Sequence, residues 1–113
     1  MNIDGENYSL EYNESANQVA ISGSLRLNGL EEYKPILDVL NQGVDASNSM
    51  QLDLSGLEFL NSSGIAMLSK FIINARGKDG FALTINGSAQ IPWQGKSLKN
   101  LQRLWPSLEL VIQ

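Results

Sequence analysis

Segments whose apolar residues recur at every second position alternate along this chain with segments in which they recur at every third or fourth. The first spacing belongs to strands with one buried face, the second to amphipathic helices. Tyr8, Leu10 and Tyr12 alternate with Ser9 and Glu11, and Val19, Ile21 and Leu25 with Ala20, Ser22 and Ser24 around Gly23. A polar turn at Asn13 to Asn17 joins these two strands. Leu30, Tyr33, Leu37, Leu40 and Val44 predict a helix with Asn28 as its cap and Gly43 as its stop. Pro35 must kink that helix or divide it into a turn and a helix starting near Lys34.

Met50, Leu52 and Leu54 predict a third strand that stops at Gly56. Ile65, Leu68, Ile72 and Ala75, widened by Met67 and Phe71, predict a second helix that ends at Gly77. Lys70, Arg76 and Lys78 sit near the negative end of its dipole. Phe81, Leu83 and Ile85 mark a fourth strand. Leu98, Leu101 and Trp105 mark a short helix stopped by Pro106, and Leu108, Leu110 and Ile112 a last strand.

This order predicts an α/β fold: an N-terminal hairpin strand, then β-α units forming a mostly parallel five-stranded sheet with right-handed crossovers. Every strand alternates, whereas strands covered on both faces read as continuous apolar runs, so the helices are expected mainly on one sheet face. Residues 1–113 are expected to form one domain. Sites in such sheets gather beyond the carboxyl ends of the strands, here Asn28 and Gly29, Asn61 to Gly64, and Asn86 to Trp93.

Composition removes many functions. The chain has no Cys and no His, which excludes disulfides, thiolate or imidazole metal sites and Ser-His nucleophile systems, and no cofactor or metal is expected. A net charge of -4 argues against general nucleic-acid binding. The charge is also uneven: residues 1 to 60 hold ten acids against Arg26 and Lys34, whereas residues 61 to 113 hold six bases against Asp79 and Glu109. The acidic start has no apolar leader, and no run approaches the ~20 apolar residues of a membrane span, so a cytoplasmic protein without a membrane partner is expected. Gly95-Lys96-Ser97 has the ending of a P-loop, but Gln90 stands where its first Gly would be. Lys96, Lys99 and Arg103 recur at helical spacing and read as a solvated face.

Asn61-Ser62-Ser63-Gly64 lies where a strand delivers the chain into the second helix. Small polar residues there leave backbone N–H groups and the positive end of a helix dipole at one exposed point. A phosphate on Ser62 would accept roughly one to three charge-assisted hydrogen bonds and add nearly two negative charges. The plainer reading is that Asn61 or Ser62 caps the helix.

The wider run, Leu52-Asp53-Leu54-Ser55-Gly56-Leu57-Glu58-Phe59-Leu60-Asn61-Ser62-Ser63-Gly64-Ile65, resembles the STAS domains of the anti-sigma-factor antagonists. In that family a strand ending Leu-Asp-Leu-Ser-Gly leads to Asp-Ser-Ser-Gly at a helix start. The resemblance implies a STAS fold and a phosphorylation-controlled protein-binding regulator rather than an enzyme. Ser62 matches the family's phosphoacceptor, the substrate of a GHKL-type serine kinase that doubles as an anti-sigma-like protein; a PP2C-type phosphatase reverses the modification. The unphosphorylated form would bind the kinase-like partner. The alternative is a constitutive STAS-like binding or scaffold module that is no longer phosphorylated. Asn61 stands where the family usually has Asp, which keeps the capping ability and loses a charge. The C-terminal strand without a further helix, together with Ile91 to Leu101, is similar to small free-standing STAS-like regulators of the cyanobacterial type. The expected contact surface comprises Asn28, Asn61, Ser62, Ser63, Gly64, Met67 and Trp93. Catalysis through Ser62 or Ser63 would need a base, and Lys70 lies more than two helical turns from Ser62.

Overall fold

The structure, a computed structural model describing residues 1–113, contains β1 (Asn2–Asp4), β2 (Tyr8–Asn13), β3 (Gln18–Leu25), α1 (Gly29–Ala46), β4 (Ser49–Leu60), α2 (Ser62–Arg76), β5 (Ala82–Gly87), α3 (Pro92–Gln102) and β6 (Glu109–Ile112). The strands form one sheet in the order β1-β2-β3-β4-β5-β6, the same as their order in the chain. Pairing is antiparallel from β1 to β3 and parallel from β3 to β6, so each helix is a crossover between neighbouring parallel strands. The expected α/β architecture is present, with six strands rather than five. The added strand, β1, is three residues long and contains one apolar residue, Ile3, too few to show a period.

Alternation decides which face is covered. Leu10, Tyr12, Val19, Ile21, Met50, Leu52, Leu83 and Ile85 are buried, and Tyr33, Ile36 and Leu40 of α1, Leu68, Phe71 and Ile72 of α2, and Leu98 and Leu101 of α3 join them in one core. Strand residues of the other parity, among them Glu11, Ser22, Gln51, Ser55 and Ala82, are exposed. The helices therefore form a single layer on one face of the sheet.

Three local expectations change. Gly43 does not stop α1, which runs on to Ala46. Its hydrogen faces Met50, and a Cβ would lie 2.7 Å from Met50 Cε, so this glycine permits close approach of helix to strand. Pro35 does not divide the helix; it lies on the exposed side, where water can serve the carbonyl that loses its partner. The third helix spans Pro92 to Gln102 rather than running to Pro106, with proline in its first turn, where the missing N–H costs nothing.

Gly56 does not end β4 either. The pairing of β3 with β4 shifts register twice, Ala20 and Ser22 facing Asp53 and Gly56, then Gly23 and Ser24 facing Leu57 and Phe59. Each shift gives β4 one extra residue, the signature of a β-bulge. Each bulge also moves the buried positions by one, from the spacing Leu52, Leu54 to the spacing Leu54, Leu57, Leu60. The strand thereby continues past the last residue it pairs with β5, Asp53, and carries Leu60 to the start of α2.

Candidate functional site

Asn61 is the cap of α2, and its side chain is fixed from three directions. Its Oδ1 accepts from Gly64 N at 3.0 Å and from Tyr33 Oη at 2.7 Å, while its Nδ2 donates to Leu27 O at 2.7 Å. The residue ties together the β3–α1 connection, the second turn of α1 and the start of α2. An aspartate could accept the same two hydrogen bonds but would set an oxygen against the Leu27 carbonyl. The departure from the STAS motif thus has a local cause: the amide is needed as a donor.

The neighbouring positions divide the remaining work. Ser63 Oγ accepts from Gly29 N at 3.1 Å, which joins the starts of α1 and α2. Gly64 is buried, and a Cβ there would overlap the Leu60 side chain and lie 2.9 Å from Tyr33 Oη. Ser62 is exposed, and the side-chain hydrogen bonds of the turn belong to Asn61 and Ser63. Its hydroxyl stands at the first turn of the helix, beside N–H groups at the positive end of the dipole. Asn28 is the N-cap of α1 as expected, exposed and extended, but its side chain makes no capping bond; its backbone N–H donates to Glu32 Oε1 at 3.0 Å.

Asn28, Asn61, Ser62, Ser63 and Gly64 thus come together at one rim. Met67 does not belong to it. It is 0% exposed, because Gly64, Met67, Leu68, Phe71, Ile72 and Ala75 form the stripe of α2 that packs into the core, so a partner cannot touch it. Trp93 is also set apart: its Nε1 donates to Leu57 O at 3.2 Å, three residues of strand, roughly 10 Å, below Leu60. Asp53 lies on the uncovered sheet face, where its carboxylate accepts from Ser55 N at 2.9 Å.

Sequence reasoning missed several members of the rim. Leu30 and Phe59 are among the few exposed large apolar residues, at 40% and 37%; Leu30 follows Gly29, whose N–H meets Ser63, and Phe59 stands three residues before Ser62 near the end of β4. Arg26 stacks on the Phe59 ring at 4.0 Å. Tyr33 fits the helical period of α1 and so reads as core, yet its hydroxyl carries the Asn61 side chain; the signal available was that a buried phenol needs a partner.

Burial pushes the Tyr33 phenol above its ordinary range, with the Leu27 backbone pulling the other way. A folded-state value above the unfolded one means that the contribution of the neutral phenol is complete below about pH 10 and is lost as pH rises through the raised value. Tyr33→Phe is expected to cost about 1 kcal/mol at neutral pH through the lost bond to Asn61. Urea melts from pH 7 to pH 11 should show that gap closing above about pH 10.

The architecture is the STAS-like fold. The crystal structure of apo-SiaC from Pseudomonas aeruginosa shares it with a TM-score of 0.76 and 16% identity, over 100% of this chain and 97% of that one. A chain of the crystal structure of the diguanylate cyclase SiaD in complex with its activator SiaC, from the same organism, matches with a TM-score of 0.75 and 17% identity, over 100% and 98%. Another structure of SiaC of Pseudomonas aeruginosa gives 0.73 and 17%, over 100% and 96%. At such identities the likeness is one of fold. No protein-family profile and no curated protein sequence matches the chain. No helix is long and apolar enough to cross a membrane.

Proposed function

We propose that residues 1–113 form a non-enzymatic STAS-like binding module that engages a partner protein constitutively through the rim around Ser62. The observation that carries this reading is the construction of the rim: Asn61 and Ser63 lock the starts of α1 and α2 to each other, leaving Ser62, Asn28 and Leu30 exposed beside them. Preorganised surfaces of this kind lose little entropy on binding. The likeness to SiaC, which is solved as the activator of SiaD in their complex, supports a role exerted through a partner enzyme.

The exposed Ser62 at a helix start favours a second reading, in which a GHKL-type kinase phosphorylates Ser62, a PP2C-type phosphatase reverses it, and added charge releases the partner. The free-standing regulators of the cyanobacterial type are the finer group to which either reading points. Cross-linking in native cells, with the captured proteins quantified by mass spectrometry, separates the two. A constitutive module should hold its partner within about twofold in Ser62→Ala and Ser62→Asp alike, and intact mass should show Ser62 unmodified across growth conditions. Loss of about tenfold or more in the Asp form alone, about 1.4 kcal/mol, with phosphate on Ser62 that varies with conditions, would overturn it in favour of the switch. Ser62→Trp adds bulk without charge and should lose the partner in both cases; retention would remove the rim from the contact.

A further inference from the structure

The charge imbalance along the sequence becomes a spatial one in the fold. None of the six strands contains a Lys or Arg, and the uncovered sheet face carries Asp4, Glu11, Asp53 and Glu109; the nearby cations lie outside the strands, Arg26 on the Phe59 ring and the N-terminal ammonium at Tyr12 O. Neither α2 nor α3 contains an Asp or Glu. Lys96, Lys99 and Arg103 are exposed and stand at i, i+3 and i+7, which places them in one row along α3 and its cap. The one ion pair of the chain, Lys34 with Asp38, uses none of these groups.

The two surfaces also match in spacing. Glu11, Ala20 and Asp53 are directly opposite one another on β2, β3 and β4, so the two carboxylates are two strand spacings apart, roughly 10 Å, with the small Ala20 between them. Lys96 and Arg103 are seven residues apart on a helix, a rise of roughly 10 Å. A sheet face without a helix layer can accept a helix as its other face does. We propose that the uncovered sheet face of one copy receives the α3 stripe of a second copy, Lys96 and Arg103 pairing with Glu11 and Asp53 across Ala20.

The donor and acceptor surfaces differ, so the contact is heterologous, and each copy keeps one free face and one free stripe from which an assembly can grow. The Ser62 rim, at the end of β4, stays uncovered in every copy. This inference does not depend on what that rim binds. It would present several rims together, which raises avidity without any new contact at the rim itself.

Sedimentation velocity over a concentration series in about 25 mM and about 300 mM NaCl tests it, because screening shortens the reach of exposed charges. Mass is expected to rise with concentration at low salt and to return to the 12.4 kDa monomer at high salt. The double variants Lys96→Glu/Arg103→Glu and Glu11→Lys/Asp53→Lys should each remain monomeric alone and associate when mixed, since the reversed stripe then meets the reversed face. Circular dichroism establishes that each is folded. Should the second pair disturb the fold, the first alone decides, because it changes only exposed side chains of α3 and its cap. A monomer at every concentration and salt, or association that the stripe reversal leaves intact, would overturn the proposal.

Discussion

Asn17→Ala is expected to destabilise the protein by about 3 kcal/mol or more, because several buried polar groups depend on one side chain. Asn17 Oδ1 accepts from Tyr12 Oη at 2.8 Å, and its Nδ2 donates to Gly43 O at 2.8 Å and Ser49 O at 2.7 Å. The residue is 7% exposed and so stitches β2, α1 and the start of β4 together away from water. It also has a φ of 48°, a left-handed conformation that asparagine adopts more readily than alanine. Alanine leaves three polar groups without partners and adds backbone strain, whereas Asn17→Gly keeps the first penalty and removes the second. Urea denaturation should therefore rank wild type above glycine above alanine. For a domain of this size the alanine variant should melt roughly 10 to 20 °C lower. Equal stability of the two variants would mean that the left-handed backbone costs nothing here.

Gln94→Leu should have an effect of similar size at the opposite end of the parallel strands. Gln94 is fully buried, its Nε2 donating to Leu54 O at 2.6 Å and Leu57 O at 2.9 Å, while its Oε1 accepts from Ser88 N at 2.7 Å. These are backbone groups of the bulged part of β4, beyond its pairing with β5, and of the loop that follows β5. Leucine fills a similar volume but offers no partner to any of them, and an unsatisfied buried group costs about 1 to 3 kcal/mol. The expected loss is about 3 kcal/mol by urea denaturation, with the Leu57 carbonyl partly served by Trp93. A loss below about 1 kcal/mol would show that water replaces the amide.

Both residues show where sequence reading stops. The element order was legible because most strands and all three helices keep their periods, and Leu10, Leu52, Leu83 and Phe71 fall in the core that those periods imply. Asn17 lay in a segment read as a polar turn and Gln94 just before the helix marked by Leu98, Leu101 and Trp105, and most of their partners are carbonyls far away in the chain. The bulges of β4 break the alternation that would have announced the strand, so its last four residues looked like a connection. Gly43 and Gly56 resembled stops, but the first is explained by close packing and the second lies within the bulged strand. At the rim, the Asn61 to Gly64 run was plain from its chemistry. What Asn61 holds was not, because Leu27 and Tyr33 reach it only through the fold. Met67 stood both in the apolar stripe of the second helix and among the expected contact residues, and only the first of these places agrees with its burial.

The agreement of strand order with chain order has a consequence for how the protein forms. Every pairing joins consecutive strands, so no strand has to be inserted between two that are already paired. The β1–β3 meander closes over short loops, at little entropic cost, and each later β-α unit adds to an edge that is already present. Synthesis from the N-terminus runs in the same direction as the strand order, so each strand leaves the ribosome after the neighbour on which it pairs.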